Sequence, residues 1–405
     1  MTPARLAAAR WFRSKQRPIA AVTEVDRAPL PPADLVVGEV TFADGAEPER
    51  YLLPLVEGRE PSDGDGAWAA IVDAIDRGAV IDGHSGRFVA ARTAAFDALR
   101  PAAVTERRMQ VEQSNTSVVI GETLMLKLYR LLEPGENPDL EVGAFLTDAG
   151  FADTPAVAGV LRYVTDGGQP AAAAMLQAFV PSTGDGWAAT LAALAENAER
   201  ATGMAGEIGR LTARLHAALA SRPDAAGFPA RVATTAETAA WRASAEDQLA
   251  LAIASVSGEA HDRLVAIAPA VRARFADAFG RATGDEVVTR IHGDYHLGQL
   301  LERPDGGFSV IDFEGEPARP LEERRRPSSP LRDVAGMLRS FDYAVSTAGR
   351  TAPMAAAFLQ AYGDGGPLVE AFELEKACYE VRYEANIRPD WLWLPLAAVE
   401  RLASG

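Results

Sequence analysis

Three polar residues near position 300 have types and spacing that could do chemistry. Asp294, Gln299 and Asp312 lie in or beside two short apolar segments joined by Pro-Asp-Gly-Gly. That pattern predicts a β-hairpin, with Asp294 and Gln299 at its first arm and Asp312 in its second. A buried carboxylate costs free energy unless a metal ion or a proton transfer uses it. The three residues therefore indicate a catalytic or metal-binding centre.

The order of these residues is typical of phosphoryl transfer. Protein-kinase-type sites supply an Asp base, an amide ligand five residues later, and a second Asp that holds Mg²⁺. By this pattern Asp294 is the candidate base, and Gln299 and Asp312 are the candidate metal ligands. Gln replaces the usual Asn, and Asp-Phe-Glu at 312–314 replaces Asp-Phe-Gly. The alternative is a hairpin whose acids are exposed turn residues.

A lysine upstream could neutralise phosphates. The period-two alternation of residues 121–129 predicts a strand in which Lys127 lies on the face opposite three leucines. A lysine there needs an anionic partner. Glu141 is the candidate, on a helix predicted to begin at Asn137 and Pro138. In kinase small lobes such a Glu orients the Lys onto the α- and β-phosphates; the alternative is a solvated Lys and Glu.

Two other segments are candidates for nucleotide binding. A buried strand from Ala171 ends at Pro181, where a two-lobed kinase would place its hinge, with backbone groups near Gln177, Ala178 and Phe179 binding adenine. Earlier, small polar residues between two predicted strands could offer backbone N–H groups to phosphate, although a plain hairpin turn is the alternative. They are Gln113, Ser114, Asn115, Thr116 and Ser117.

A segment near the C-terminus could bind a sugar. The helix predicted over residues 368–386 is followed by Arg388-Pro389-Asp390-Trp391, and a second tryptophan follows at 393. Aromatic rings stack on the C–H faces of sugars, and charged groups bind their hydroxyls. A helix end packed by tryptophan is the alternative, and composition favours neither.

The composition limits the class of protein. With 48% apolar and 24% charged residues the chain is globular, and 405 residues are enough for two or three domains. A formal net charge of −16 disfavours a nucleic-acid partner. Neither a membrane-spanning apolar run nor a secretory signal is present, and the single Cys378 suits a reducing compartment. We expect a soluble cytoplasmic protein with Cys378 buried.

The elements divide into three predicted regions. Residues 1–95 read as a small α+β accessory domain, 96–181 as a β-rich lobe, and 182–405 as a mostly helical lobe that carries the hairpin. In the first region the pattern predicts helices over 6–12 and 67–76 and strands over 35–42 and 50–56.

These motifs together resemble sugar kinases of the actinobacterial maltokinase type, in the eukaryotic-protein-kinase-like and aminoglycoside phosphotransferase superfamily. The resemblance implies an α+β, bilobal protein-kinase-like fold with an N-terminal cap domain, a β-rich N-lobe and an α-helical C-lobe, with ATP and Mg²⁺ bound between the lobes. The motifs are Arg10-Trp11-Phe12 with Lys15, Lys127 with Glu141, and the stretches 292–299, 311–320, 329–333 and 379–389.

The C-terminal motif departs from the maltokinase pattern at Arg382, Asn386, Asp390 and Trp393, and the chain is short for a maltokinase. It is similar there to the glucosamine kinase branch. A carboxylate at position 390 would bind the ammonium of an amino sugar. The resemblance also implies the substrate residues, which are His292, Asp294, Glu314, Glu380, Arg382, Glu384, Asp390 and Trp391.

The expected function is therefore an ATP- and Mg²⁺-dependent kinase that phosphorylates the 6-hydroxyl of glucosamine. A maltokinase that forms maltose 1-phosphate is the nearest alternative, and an aminoglycoside phosphotransferase is a further one. A catalytically dead kinase fold that serves as a binding module belongs to a different class. The presence of Lys127, Asp294, Gln299 and Asp312 disfavours it.

Overall fold

The structure is a computed structural model that describes residues 2–109, 114–282, 286–316, 319–363 and 365–404. The chain divides into two compact units, Met1–Pro181 and Ser182–Gly405. Strands dominate the first unit and helices the second. The predicted α+β class is confirmed.

The first unit combines short helices with most of the strand residues of the chain. Its described elements are α1 (Pro3–Ala7), β1 (Ile19–Leu30), β2 (Ala33–Phe42), β3 (Glu49–Leu55), α2 (Ala67–Arg77), β4 (Val80–Asp82), β5 (Gly86–Arg92), α3 (Phe96–Leu99), β6 (Glu106–Arg108), β7 (Asn115–Ile120), β8 (Leu124–Tyr129), α4 (Pro138–Asp148), β9 (Val157–Thr165) and β10 (Ala171–Ala178).

These strands form two antiparallel sheets. The first is the meander β1-β2-β3, and the second has seven strands in the order β4-β5-β9-β10-β8-β7-β6. Strands β4 and β5 precede Ala95 in the chain, yet β5 pairs with β9. The border at Ala95 between a cap domain and a β-rich lobe stays a prediction.

The core of the seven-stranded sheet follows from alternation. Leu124, Leu126 and Leu128 of β8 are fully buried and belong to one apolar cluster with Trp68 of α2 and Phe88 of β5. Period-two alternation places the side chains of the intervening residues on the opposite face of β8. The predicted leucine face is confirmed.

The helix predicted over residues 6–12 is wrong at both ends. Thr2 accepts a hydrogen bond from the Arg5 N–H at the start of α1, Pro3 holds the first helical position, and the helix ends at Ala7. Trp11 and Phe12 instead pack on Tyr51, with ring centroids 5.9 and 5.3 Å away. These two aromatic residues are therefore buried against β3 and do not continue the helix.

The second unit is built from long helices around a small hairpin. Its described elements are β11 (Gly184–Asp185), α5 (Gly186–Glu196), α6 (Ala198–Leu219), β12 (Arg231–Val232), α7 (Thr235–Ser255), α8 (Gly258–Arg281), β13 (Val287–Val288), β14 (Leu300–Glu302), β15 (Phe308–Val310), α9 (Leu321–Arg324), α10 (Leu331–Ala348), α11 (Met354–Tyr362), α12 (Gly366–Ile387) and α13 (Trp393–Ser404).

Helix α12 lies at the centre of this unit, packed by α7, α8, α10 and α13. Phe372 of α12 meets Trp241 of α7 and Phe279 of α8 edge-on, at centroid distances of 5.7 and 5.5 Å. Cys378 is fully buried, as predicted, and burial raises the pKa of its thiol to about 12. A helix with this much burial is a rigid platform for the polar side chains on its remaining face.

Among the described residues no helix is long and apolar enough to cross a membrane.

Candidate active site

The predicted hairpin is present, but the polar residues lie outside its strands. Strands β14 and β15 pair antiparallel from Leu300 opposite Val310 to Glu302 opposite Phe308. Asp294 and Gln299 come before β14, on a loop and on the 3₁₀ turn Leu297–Gln299, and Asp312 follows β15. The placement of these residues in the strands was wrong. Strand ends can present polar groups without burying them in the ladder.

The loop that carries Asp294 is held by hydrogen bonds to Asp333 of α10. The backbone N–H groups of His292 and Gly293 donate to its two carboxylate oxygens at 2.8 and 2.9 Å. His216 of α6 donates from Nε2 to the same carboxylate at 3.2 Å. Burial alone would raise the pKa of Asp333. The hydrogen bond and charge of His216, together with the hydrogen bonds from the loop amides, outweigh burial and lower this pKa. Asp333 is therefore an ionised anchor for the loop.

His292 supports the loop from inside, and its predicted contact with substrate is contradicted. The residue is 1% exposed, its Nε2 lies 3.0 Å from the carbonyl oxygen of Ile311, and its ring packs on Phe313 at 4.9 Å. Nε2 must donate to that carbonyl, so Nδ1 is left to accept from the N–H of Asp294 at 3.4 Å. A side chain this buried cannot meet a sugar without a rearrangement of the loop.

Asp312 and Gln299 meet at the end of the hairpin. The amide nitrogen of Gln299 lies 3.4 Å from Asp312 Oδ2, and the N–H of Ile311 donates to the carbonyl of Gln299 at 3.0 Å. Asp312 has a φ of +66°, a left-handed conformation that few residues other than glycine adopt. Such strain is found where function requires a side chain to point in one direction. The two side chains offer hard oxygen atoms, which Mg²⁺ prefers.

Asp294 faces a lysine that the sequence analysis did not single out. Nζ of Lys376 on α12 lies 4.0 Å from Asp294 Oδ1, and the two side chains are 33% and 26% exposed. The ammonium also lies 4.6 Å from the ring centroid of Tyr379. Asp294 is thus an accessible carboxylate on an anchored loop, which is what a general base requires.

Glu316, another residue that we did not predict, contributes an acid on the segment after the hairpin. Arg319 Nε donates to its Oε2 at 2.7 Å. Burial alone would raise the pKa of Glu316, but the charges of Lys376 and Arg319 outweigh it and lower the pKa. The pKa of Tyr379 is raised by burial and by the charge of Glu316. Glu314, a predicted substrate residue, is half-buried, and its carbonyl accepts from Arg324 at 3.3 Å.

The direct sugar contact predicted for Glu384 is contradicted, whereas that of Glu380 stays a prediction because its contacts with Arg339 use one carboxylate oxygen, Oε2. Arg339, itself 1% exposed, holds Glu380 with Nε and Nη2 at 2.8 and 2.7 Å. Glu384 is 1% exposed and accepts from the hydroxyl of Tyr343 and from Arg388 Nε, both at 2.9 Å. Burial raises the pKa of Glu380 despite Arg339. Both carboxylates are used inside the protein, where they fix α12 to α10 and to the turn after it.

The turn after α12 presents the remaining predicted sugar residues. Asp390 is exposed on the 3₁₀ turn Pro389–Trp391 and takes part in no salt bridge within the described part of the chain. Trp391 is half-buried and stacks on Tyr343 at 6.2 Å with an interplanar angle of 10°. The guanidinium of Arg382 lies 5.3 Å from the ring centroid of Tyr379. Of the predicted α12 and turn carboxylates, Asp390 is the exposed one.

In the first unit, Lys127 pairs with Asp139, a residue that we did not predict, and its pairing with Glu141 stays a prediction. Its ammonium lies 2.8 Å from Asp139 Oδ2, which also accepts from the hydroxyl of Tyr129 at 2.9 Å. The predicted N-cap is confirmed, because Asn137 accepts from the N–H of Asp139. Residues two apart on a helix point about 200° apart, so one of the two acids can face β8. The sequence alone does not tell which of the two acids on α4 faces β8.

The predicted loop was expected to offer backbone N–H groups to phosphate, but Thr116 and Ser117 lie within a strand that pairs with β8. Both belong to β7 and are 2% and 1% exposed, and Thr116 Oγ1 accepts from Arg130 Nε at 2.8 Å. Ser114 and Asn115 are half-buried at the start of the strand. Gln113, which we included in the loop, lies outside the described residues, as do positions 317 and 318 of the 311–320 motif.

The predicted hinge is partly contradicted as well. The N–H of Ala178 donates to Ala156 and that of Phe179 to Thr123, both at 2.8 Å, and Gln177 is 8% exposed in β10. These amides are satisfied by the protein and cannot also bind adenine. Within the described residues the N–H of Val180, one residue further, has no hydrogen-bond partner.

The amino-acid composition contains a signal that could have identified Lys376. Of 40 basic residues only three are lysines, at positions 15, 127 and 376. Where arginine is the default, a lysine in a partly buried position points to a need for a compact ammonium. Lys376 also precedes Glu380 by four residues, so both lie on one face of a helix. Arg339, in contrast, pairs with Glu380 across two helices, which no local pattern predicts.

Known proteins are similar to this chain along most of its length. Residues 6–85 match the maltokinase N-terminal cap domain, and residues 105–372 match the phosphotransferase enzyme family. A glucosamine kinase of Streptacidiphilus jiangxiensis is 33% identical over 400 residues, and the match covers 89% of this chain and 86% of that protein. A glucosamine kinase of Mycolicibacterium smegmatis (strain ATCC 700084 / mc(2)155) is 28% identical, covering 91% and 93%.

A solved structure shares the fold. A glucosamine kinase in complex with glucosamine, ADP and inorganic phosphate superposes with a TM-score of 0.75 at 28% identity, covering 99% of this chain and 100% of that one. The predicted kinase-like fold is confirmed by this similarity. With its N-terminal cap, its kinase-like fold and its two matched segments, the chain belongs to the phosphotransferase enzyme family.

Proposed function

We propose that the protein is an ATP- and Mg²⁺-dependent glucosamine kinase that forms glucosamine 6-phosphate and ADP. The observation that carries the choice of sugar is its similarity over most of its length to two glucosamine kinases, one of them 33% identical. The exposed carboxylate of Asp390 supports an acceptor with a positive charge.

The base in this proposal is Asp294. Its carboxylate accepts the proton of the sugar 6-hydroxyl as that oxygen forms a bond to the γ-phosphorus of ATP. The bond between this phosphorus and the β,γ-bridging oxygen breaks, and ADP leaves with the electron pair. Asp333 and His292 hold the loop so that the carboxylate is positioned before substrate binds, which lowers the entropic cost of the reaction.

Gln299 and Asp312 are the residues that would hold Mg²⁺. The donor set fits, because a carboxylate and an amide carbonyl are hard oxygen ligands, and the strained backbone of Asp312 fixes the direction of its side chain. When bound, Mg²⁺ supplies positive charge to the phosphates of ATP.

Lys127, oriented by Asp139, is the proposed cation for the α- and β-phosphates. Backbone N–H groups around Ser114 and Asn115 are the remaining phosphate candidates. For adenine we replace the amides of Ala178 and Phe179 by that of Val180, because the first two are already bonded.

The proposed sugar contacts are Asp294 at the acceptor hydroxyl and Asp390 at the ammonium, with Glu314, Arg382 and Trp391 around the ring. We further propose the division into a cap domain (1–95), a β-rich lobe (96–181) and a helical lobe (182–405), and a cytoplasmic location, where ATP and sugar are available.

A kinase assay with a panel of acceptors tests the function. We expect ATP consumption with glucosamine to exceed that with maltose, glucose and aminoglycosides, and NMR of the product to place the phosphate on the 6-oxygen. A clear preference for maltose or an aminoglycoside would refute the glucosamine assignment. No ATP turnover with any acceptor would favour a catalytically inactive binding module.

The second candidate is a maltokinase that forms maltose 1-phosphate. It is favoured by the match of residues 6–85 to the maltokinase N-terminal cap domain. The exposed Asp390 disfavours it, because a neutral disaccharide gives a desolvated carboxylate no ammonium to pair with. The product of the same assay, phosphorylated at C1 or at C6, separates the two activities.

A further inference from the structure

Lys376 acts on the candidate base through charge and not through a hydrogen bond. The 4.0 Å between its Nζ and Asp294 Oδ1 is beyond hydrogen-bonding distance. Within the described residues the ammonium has no hydrogen-bond partner and lies over the ring of Tyr379. The lone pairs of Asp294 therefore stay available, while a fixed positive charge lies beside them.

The groups that face Lys376 leave Asp294 as its counter-ion. Glu380 on its own helix is held by Arg339, and Glu316 after the hairpin is held by Arg319. The other titratable neighbours are Tyr379 on α12 and His296 on the loop, whose pKa is lowered by burial. Of the three carboxylates near Lys376, Asp294 is the one that no arginine neutralises within the described residues.

An amino sugar creates a difficulty for such a base. Its ammonium would form a strong ion pair with an accessible carboxylate, and Asp294 is one. In a pyranose ring C2, which carries the amine, lies opposite C5, which carries the 6-hydroxymethyl group. A sugar bound with its ammonium on Asp294 would therefore hold its 6-hydroxyl away from the base, and this complex could not react. A cation at 4.0 Å from the carboxylate disfavours that orientation by charge repulsion.

We propose that Lys376 is a specificity-determining residue that keeps the substrate ammonium away from Asp294 and so directs the 6-hydroxyl to the base. The proposal rests on the proposed function, because it requires a positively charged acceptor. It makes the acceptor end of the site unfavourable for an ammonium and leaves Asp390 as the carboxylate that can receive it.

The substitution Lys376→Met tests this role by steady-state kinetics with glucosamine. Removal of the cation should let the unreactive orientation compete, which lowers kcat and KM together by about tenfold and leaves kcat/KM nearly unchanged. An amine of this kind titrates at about pH 8, so the difference from the wild type should shrink at about pH 9.5. Lys15→Met, at an exposed position in the first unit, is the matched control and should behave as the wild type.

A fall in kcat without a fall in KM, of the same size at both pH values, would overturn the proposal, because it indicates lost catalysis or lost structure. Wild-type kinetics in Lys376→Met would overturn it too. If the wild type itself fails to phosphorylate glucosamine, the proposed function and this inference are both refuted, and the wild-type assay alone reveals that case.

Discussion

The pairs Lys127–Asp139 and Lys376–Asp294 combine the same two residue types in different geometries. In the first, the ammonium and carboxylate lie 2.8 Å apart and their side chains are 9% and 4% exposed. In the second, the separation is 4.0 Å and the exposures are 33% and 26%. Each pair lies within its own unit.

The difference shows that a Lys–Asp pair can either fix the position of a side chain or leave a side chain available for reaction. A buried contact pair satisfies both charges and fixes the lysine in one direction. A pair with a gap leaves the lone pairs of the carboxylate accessible, and its lysine still controls which charges approach. Substitutions in and around the two pairs test this contrast.

The largest effect is expected from Asp294→Asn. The amide cannot accept the hydroxyl proton, so kcat for glucosamine should fall by about 10³-fold, within the range for general base catalysis. Steady-state assays of ADP release measure it, and an unchanged thermal midpoint shows that the fold is retained.

Asp262→Asn is a suitable control for Asp294→Asn, because the Asp262 side chain is 83% exposed and far from the loop in sequence. Full turnover by Asp294→Asn would remove Asp294 from the role of base, and the contrast between the two pairs would then be one of burial only.

The contact pair should matter more for folding than the gapped pair. Asp139→Asn removes the carboxylate that lies 2.8 Å from a buried ammonium and should lower the free energy of unfolding by about 3 kcal/mol. Urea unfolding followed by circular dichroism measures this loss.

The matched comparison for Asp139→Asn is Glu141→Gln, two residues away on α4. We expect a loss of less than about 1 kcal/mol there, because Glu141 is half-buried whereas Asp139 is buried 2.8 Å from the ammonium of Lys127. A larger loss for Glu141→Gln than for Asp139→Asn would favour the pairing predicted from the sequence.

A smaller effect is expected at Asp390, where the proposed site attracts an ammonium instead of repelling it. Asp390→Asn should raise KM for glucosamine by about tenfold, the value of one charge-assisted hydrogen bond. KM for ATP is the internal control and should not change. An equal rise in KM for glucose would show that Asp390 binds a hydroxyl and not the ammonium.

The smallest effect concerns the anchor of the catalytic loop in acid. The pKa of Asp333 is lowered in the folded protein, so its contribution to the free energy of unfolding is complete above about pH 4. It is lost as the pH falls through the lowered pKa. The difference in unfolding free energy between the wild type and Asp333→Asn should therefore shrink as urea titrations are repeated from pH 5 downward. A constant difference would mean that the charge of Asp333 does not hold the loop.

Local patterns predicted a large part of the architecture. The hairpin followed from a Pro-Asp-Gly-Gly turn between apolar segments, and the start of α4 from Asn137 with Pro138. The leucine face of β8 followed from alternation. Each of these signals lies within about ten residues, where backbone geometry relates sequence to structure directly.

The errors and the missed contacts arose where pairing depends on elements distant in sequence. Glu380 has the chemistry of a ligand in the sequence, and only the packing of α10 brings Arg339 against it. The same holds for Tyr343 and Glu384. Arg388, four residues after Glu384, was a local signal that we did not use. Carboxylates in a motif can be assigned to ligand or to scaffold only once the arginines around them are known.

The small number of lysines gives the chain an unusual pattern of nucleophiles. With the single cysteine buried and Lys127 9% exposed in its pair, Lys376 is the amine beside the base that an acylating reagent could reach. A sugar analogue bearing an activated ester should therefore label this position selectively, and Lys15 would report background acylation. Occupancy of the acceptor end could then be followed in cell extracts from the mass of one peptide, without an assay of turnover.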